Sequence, residues 1–141
     1  DVAPSRGLGD VYKRQVLEKK ADLGREIRLA YSQEDKETLQ EIANIKIPVL
    51  LQRLQDFYQS FRTQWNLENK SFGFEVQTVR IGGLLQRLKD VQEILNAYLR
   101  EEIPGIAELN EPQKAFHYFE QNEIRSLNYN LWTDIVSPSK I

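Results

Sequence analysis

The chain contains no cysteine and no methionine. The first absence removes disulfides, thiolate metal sites and thiol catalysis together, and it suits a reducing compartment. The second, with an aspartate as first residue, leads us to expect a fragment of a longer protein. Histidine occurs once, at His117. No apolar run exceeds a few residues, whereas a bilayer span needs ~20. No signal peptide is visible at the N-terminus. Net charge is −2, with both signs scattered and no basic stripe, so nucleic acid and membrane are not expected partners.

What remains is an ordinary globular composition. The 141 residues are 40% hydrophobic and 28% charged, enough for one domain with its own core. The first fifteen residues, DVAPSRGLGDVYKRQ, differ from the rest: they have no apolar period. Ser5–Gln15 resembles a translated sequencing-adapter remnant. Residues 1–15 are therefore expected to be a non-native or disordered arm, and residues 16–141 a helical domain of a larger protein.

Beyond the arm, apolar residues recur at steps of three and four, and strand alternation is nowhere sustained. A first helix is expected from Val16 to Tyr31, ended by the polar stretch Ser32–Asp35. The second carries Leu39, Ile42, Ala43, Ile47, Leu50, Leu54, Phe57, Phe61 and Trp65 on one face. Pro48 falls inside it, which predicts a kink or short break near Ile45–Pro48. After the polar connector Asn66–Ser71, a third helix is expected from Phe74 to Arg100, stopped by Ile103-Pro104-Gly105. Glu111-Pro112 opens a short helix with Lys114–Gln121 as its body, and an irregular tail follows. The fold class is thus all-α: an antiparallel bundle of three long helices, the second kinked near Pro48, plus a short helix and the tail.

Reactive constellations are scarce. Glu120 lies one helical turn after His117, but a metal would need more ligands than this pair. The acidic pairs Glu34-Asp35 and Glu101-Glu102 fall at expected helix ends, where solvated charge or helix capping explains them better than catalysis. Asn69-Lys70-Ser71 matches a glycosylation sequon and reads as a turn. No catalytic residue, cofactor-binding residue or metal ligand is assigned, and no cofactor is expected. The packing candidates are Arg80, Gly82, Gly83 and Trp132. Two adjacent glycines inside a helix cost ~1 kcal/mol each relative to alanine, which predicts close approach of another backbone there. The aromatics Phe116, Tyr118, Phe119, Tyr129 and Trp132 lack a clean period, so part of this set is expected to cover a surface outside the chain.

Two stretches carry a family resemblance. Asn69-Lys70-Ser71-Phe72-Gly73-Phe74-Glu75-Val76-Gln77, and then Val79-Arg80-Ile81-Gly82-Gly83-Leu84-Leu85-Gln86-Arg87-Leu88, resemble the NKPFGFEVQDIRxGGLxxRL stretch of family 20 glycoside hydrolases. There it follows the catalytic barrel. Tyr129–Pro138 resembles the family's closing segment. Ser71 stands where proline is expected and Thr78 where aspartate is. The resemblance implies a β-N-acetylhexosaminidase: a (β/α)8 barrel with an Asp-Glu pair at its C-terminal face. It also implies retaining hydrolysis, with the substrate's own acetamido oxygen as nucleophile. That Asp-Glu motif has no counterpart here, since no aspartate is followed directly by glutamate. The implied partners are the catalytic barrel of the parent chain and a second copy in a homodimer. A free-standing helical interaction module is the alternative, and a carbohydrate-binding module using exposed aromatics is a third.

Overall fold

The computed structural model describes residues 5–111 of the chain. Six α-helices follow one another: α1 (Ser5–Lys20), α2 (Leu23–Ser32), α3 (Lys36–Glu41), α4 (Ile47–Glu68), α5 (Phe74–Leu99) and α6 (Ala107–Asn110). Among the described residues there is no strand, and no helix is long and apolar enough to cross a membrane. The all-α bundle expected from the periodicity is what forms. The short helix and tail expected after Glu111 lie outside the described residues; α6 is a separate single turn ahead of them.

The long elements run antiparallel. Gln15 accepts a hydrogen bond from Arg53 at 2.7 Å, while Glu26 pairs with Lys46 at 3.0 Å. The α1–α2 arm therefore descends as α3–α4 rises. Tyr58 and Thr78 share a hydroxyl hydrogen bond near the α4–α5 turn, and Gln92 reaches Ala43 at the far end. Between these helices lies an aliphatic core that includes Leu39, Ile42, Ala43, Ile47, Leu50, Leu54, Leu88 and Leu95, with Ile27 and Ala30 of α2 against it.

Two boundaries differ from expectation. Instead of one helix from Val16 to Tyr31, the chain breaks at residues 21–22, where Asp22 and Gly24, both poor helix formers, fall together. The helix also begins earlier, at Ser5, within residues 1–15, the stretch expected to be a non-native or disordered arm. Across residues 11–16, Tyr12, Gln15 and Val16 turn inward. The middle one is polar, so the apolar period vanishes although the helical spacing is kept.

Pro48 acts one turn upstream of itself. The helix does not break. Instead residues Ile42–Lys46 widen into a π-turn, and the Ile47 N–H donates to the Ile42 carbonyl five residues back. The Ala43 carbonyl then has no backbone donor, because Ile47 is committed elsewhere and Pro48 has no N–H. Gln92 of α5 supplies the missing donor through Nε2 at 2.7 Å.

Both α2 and α5 end on a non-glycine residue in the left-handed region, Glu34 (φ 56°) and Glu101 (φ 61°). In each case the next amide reaches back five residues, Asp35 to Ala30 and Glu102 to Ala97, both at 2.9 Å. Glycine is the usual residue there because a Cβ is strained. Glu34→Gly should therefore stabilise the chain by about 1 kcal/mol, read as a higher urea midpoint. Asp35 follows and caps α3, accepting from the Thr38 amide at 3.0 Å and the Thr38 hydroxyl at 2.6 Å.

Candidate functional site

The α4–α5 hairpin carries the most elaborate surface of the described chain. Phe57, Phe61 and Trp65 recur every fourth residue on α4, and Phe74 begins α5 opposite them. The Phe57 and Phe61 rings stack at 5.6 Å, and Phe61 and Trp65 each meet Phe74, at 5.5 and 5.7 Å. Phe74 is buried and the other three are half-buried.

The turn between the helices fixes this cluster. Trp65 donates its indole N–H to the Lys70 carbonyl at 2.9 Å. Gly73 sits at φ 95°, a conformation strained for any side chain, and its amide donates to the Glu75 carboxylate at 2.8 Å. A Cβ on Gly73 would lie 3.6 Å from the Trp65 ring. Phe72 in the turn is 86% exposed, and Leu67 in the last turn of α4 is 69% exposed. The Asn69–Gln77 motif is therefore a clasp on Trp65.

Beside the clasp lies a groove of about 490 Å³. Phe57, Phe61 and Trp65 form its apolar floor. Gln64, Glu68 and Asn69 line the α4 edge, Gln77 and Ile81 of α5 the opposite wall, and Lys13 of α1 closes one side. A second, smaller groove of about 230 Å³ between α2, α5 and α6 is mostly apolar, with Arg28 and Glu108 among its lining residues. The segment after α5 is tied to α2 near it. The Tyr31 hydroxyl donates to Asn110 Oδ1 and accepts from the Ile106 amide, both at 3.0 Å.

The acidic pairs occupy helix ends. Lys36 holds the Glu101 carboxyl below its ordinary range across a 2.8 Å ion pair, and Arg100 does the same to Glu102. The Thr38 hydroxyl and amide lower Asp35 likewise. A general acid needs the opposite direction. No group of three metal-ligating side chains occurs among the described residues. His117, Glu120 and Trp132 lie outside them.

Arg80, Gly82 and Gly83 are exposed on α5. The close backbone approach expected at the glycines is not made by any described residue: a Cβ at either position meets nothing within 4 Å. Their neighbours Leu84 and Leu85 pack on the core, and the two glycines fall on the other face. Gly82→Ala should accordingly stabilise the isolated chain by about 1 kcal/mol through helix propensity alone, measured by urea unfolding. Gly73 and Gln77 belong to the family motif in the sequence, but neither the positive φ of the one nor the groove position of the other is visible there, and Gln64 carries no signal beyond being an amide at helical spacing.

Fold and groove define an all-α helical-bundle domain built around a clasped hairpin. The chain belongs to the Glycoside Hydrolase 20C C-terminal domain family, whose model matches residues 11–128. The resemblance carried by Asn69–Gln77 and Val79–Leu88 is thereby borne out. The match begins within the first fifteen residues and stops just before the Tyr129–Pro138 stretch. No curated protein matches the chain in sequence.

Proposed function

We propose that this chain is the non-catalytic helical domain of an enzyme that removes terminal N-acetylhexosamine residues. It packs on that enzyme's (β/α)8 barrel and supports a homodimer. The observation that carries the reading is the family match over residues 11–128 in a chain where no aspartate is followed directly by glutamate. The chemistry of the parent therefore belongs to the barrel, and this domain contributes surface.

The bare face of α5 supports that division. Gly82 and Gly83 weaken a 26-residue helix by ~1 kcal/mol each relative to alanine, with open space beside both. Contact with the barrel, whose backbone can approach a face without side chains, offsets that loss.

The test has two arms. The gene upstream of Val16 is read, and the parent enzyme and the 141-residue chain are each assayed on a chromogenic N-acetylglucosaminide. An upstream barrel with an Asp-Glu motif, an active parent and an inactive chain are expected. A start codon directly upstream, or turnover by the exhaustively purified chain, overturns the reading.

A further inference from the structure

The groove at the α4–α5 clasp has a composition that core packing does not require. Its floor is aromatic, with the Phe61 and Trp65 rings half-buried rather than enclosed. Its edges carry three amide side chains, Gln64, Asn69 and Gln77. Each amide has both a donor and an acceptor end, and none of the three side chains has a hydrogen-bond partner among the described residues. The cavity, about 490 Å³, falls in the ~300–1,000 Å³ range of small-molecule sites.

From this arrangement we infer a non-catalytic saccharide subsite that takes an acetamido-pyranose unit of a neutral oligosaccharide. A pyranose has an apolar face of C–H groups and a rim of hydroxyls. The face fits a half-exposed aromatic floor, and the rim matches side chains that donate and accept at once. An acetamido substituent is itself an amide and pairs with a glutamine or asparagine end to end. An apolar peptide would leave the three amides desolvated and unpaired, which is costly. A nucleic acid would call for a basic stripe, and the groove's charged residues are one lysine and one glutamate, Lys13 and Glu68. The floor is preformed: Trp65 is held by the Lys70 carbonyl and by the Phe61 and Phe74 rings, so little ordering cost opposes binding.

The acetamido preference rests on the hexosaminidase reading; the pyranose fit rests on the groove alone. Shallow sites of this kind bind weakly, so the assay must reach millimolar ligand.

The experiment is a titration of the full 141-residue chain with the trisaccharide of β-1,4-linked N-acetylglucosamine, and separately with cellotriose. It is followed by Trp65 indole and Gln/Asn side-chain resonances in ¹H–¹⁵N spectra. A saturable shift centred on Trp65, Gln64 and Gln77, tighter for the acetamido sugar, is expected. The double substitution Gln64→Ala with Gln77→Ala should weaken it about tenfold, a 1.4 kcal/mol change, while the melting temperature stays put. Phe61→Leu serves as an independent probe of the floor and should weaken binding as well. No saturable shift, or binding indifferent to both sets of substitutions, overturns the subsite, and equal binding of both sugars overturns its acetamido preference. The hexosaminidase reading is judged by hydrolysis in the parent enzyme, so a silent groove leaves it standing.

Discussion

Leu50→Ala should destabilise the chain by about 2–5 kcal/mol. Leu50 is 1% exposed and lies one turn after the π-turn, in the cluster formed with Leu39, Ile42, Ile47, Leu54, Leu88 and Leu95. Truncation removes the transfer free energy of the lost methylenes and leaves a void that rigid helices fill only in part. A domain's whole stability is only ~5–15 kcal/mol, so this one substitution consumes a large share. Val49→Ala is the control. Val49 is 42% exposed, next in sequence but about 100° round the helix, and its loss should stay within ~0.5 kcal/mol. Chemical unfolding with a shared m-value measures both. Equal effects at the two positions would mean that the helix is rotated relative to the core described above.

Gln92→Leu should cost about 1–3 kcal/mol, despite adding an apolar side chain to a half-buried position. The reason is the Ala43 carbonyl. Ala43 is fully buried, and its carbonyl has lost its helical donors to the π-turn and to Pro48. The Gln92 amide at 2.7 Å is its partner. Leucine fills the space without donating, so a buried acceptor is stranded. Gln86→Leu, one to two turns earlier on α5, removes only an exposed hydrogen bond to Asp90 and should be nearly neutral. Thermal unfolding of the pair separates the two cases, and similar melting points for both variants would sink the account.

The periodicity of α4 and α5 was legible because each puts large apolar residues on one face for more than five turns. Phe74 and Leu99 emerge as the observed ends of α5 for that reason. The consequence of Pro48 was legible in kind but misplaced. A proline acts on the carbonyls four and five residues before it, so the distortion appears at residues 42–46 rather than at 45–48. The start of α1 was hidden because a polar residue, Gln15, occupies an inward position. The ends of α2 and α5 were harder still: Glu34 and Glu101 stand where a glycine would have announced the turn.

At the candidate site, the aromatic floor was readable as helical spacing on α4, a spacing that by itself points to nothing more than a core face. The clasp that leaves one side of those rings open depends on Gly73, whose positive φ no pattern of apolar residues reveals. The glycine pair was noticed for its helix-breaking cost, and the expected close neighbour does not exist among the described residues. Composition shows that a helix has been weakened; it does not show where the compensating contact lies.

The widened turn ahead of Pro48 also says something about how this helix tolerates changes in length. A π-turn holds one residue more than the α-helical turn it replaces, so the helix from Lys36 to Glu68 carries a spare residue. Ile45, 59% exposed, lies in that turn, away from the core. Deleting it would bring the Ile47 amide four residues from the Ile42 carbonyl, converting their bond into a regular helical one. Pro48 would still leave the Ala43 carbonyl to Gln92, and every apolar residue on either side would keep its facing. Deleting Gln55 instead would turn everything after it by about 100° and carry Phe57, Phe61 and Trp65 off their face. One-residue length polymorphism should therefore be neutral at one position in this helix and ruinous a few turns later.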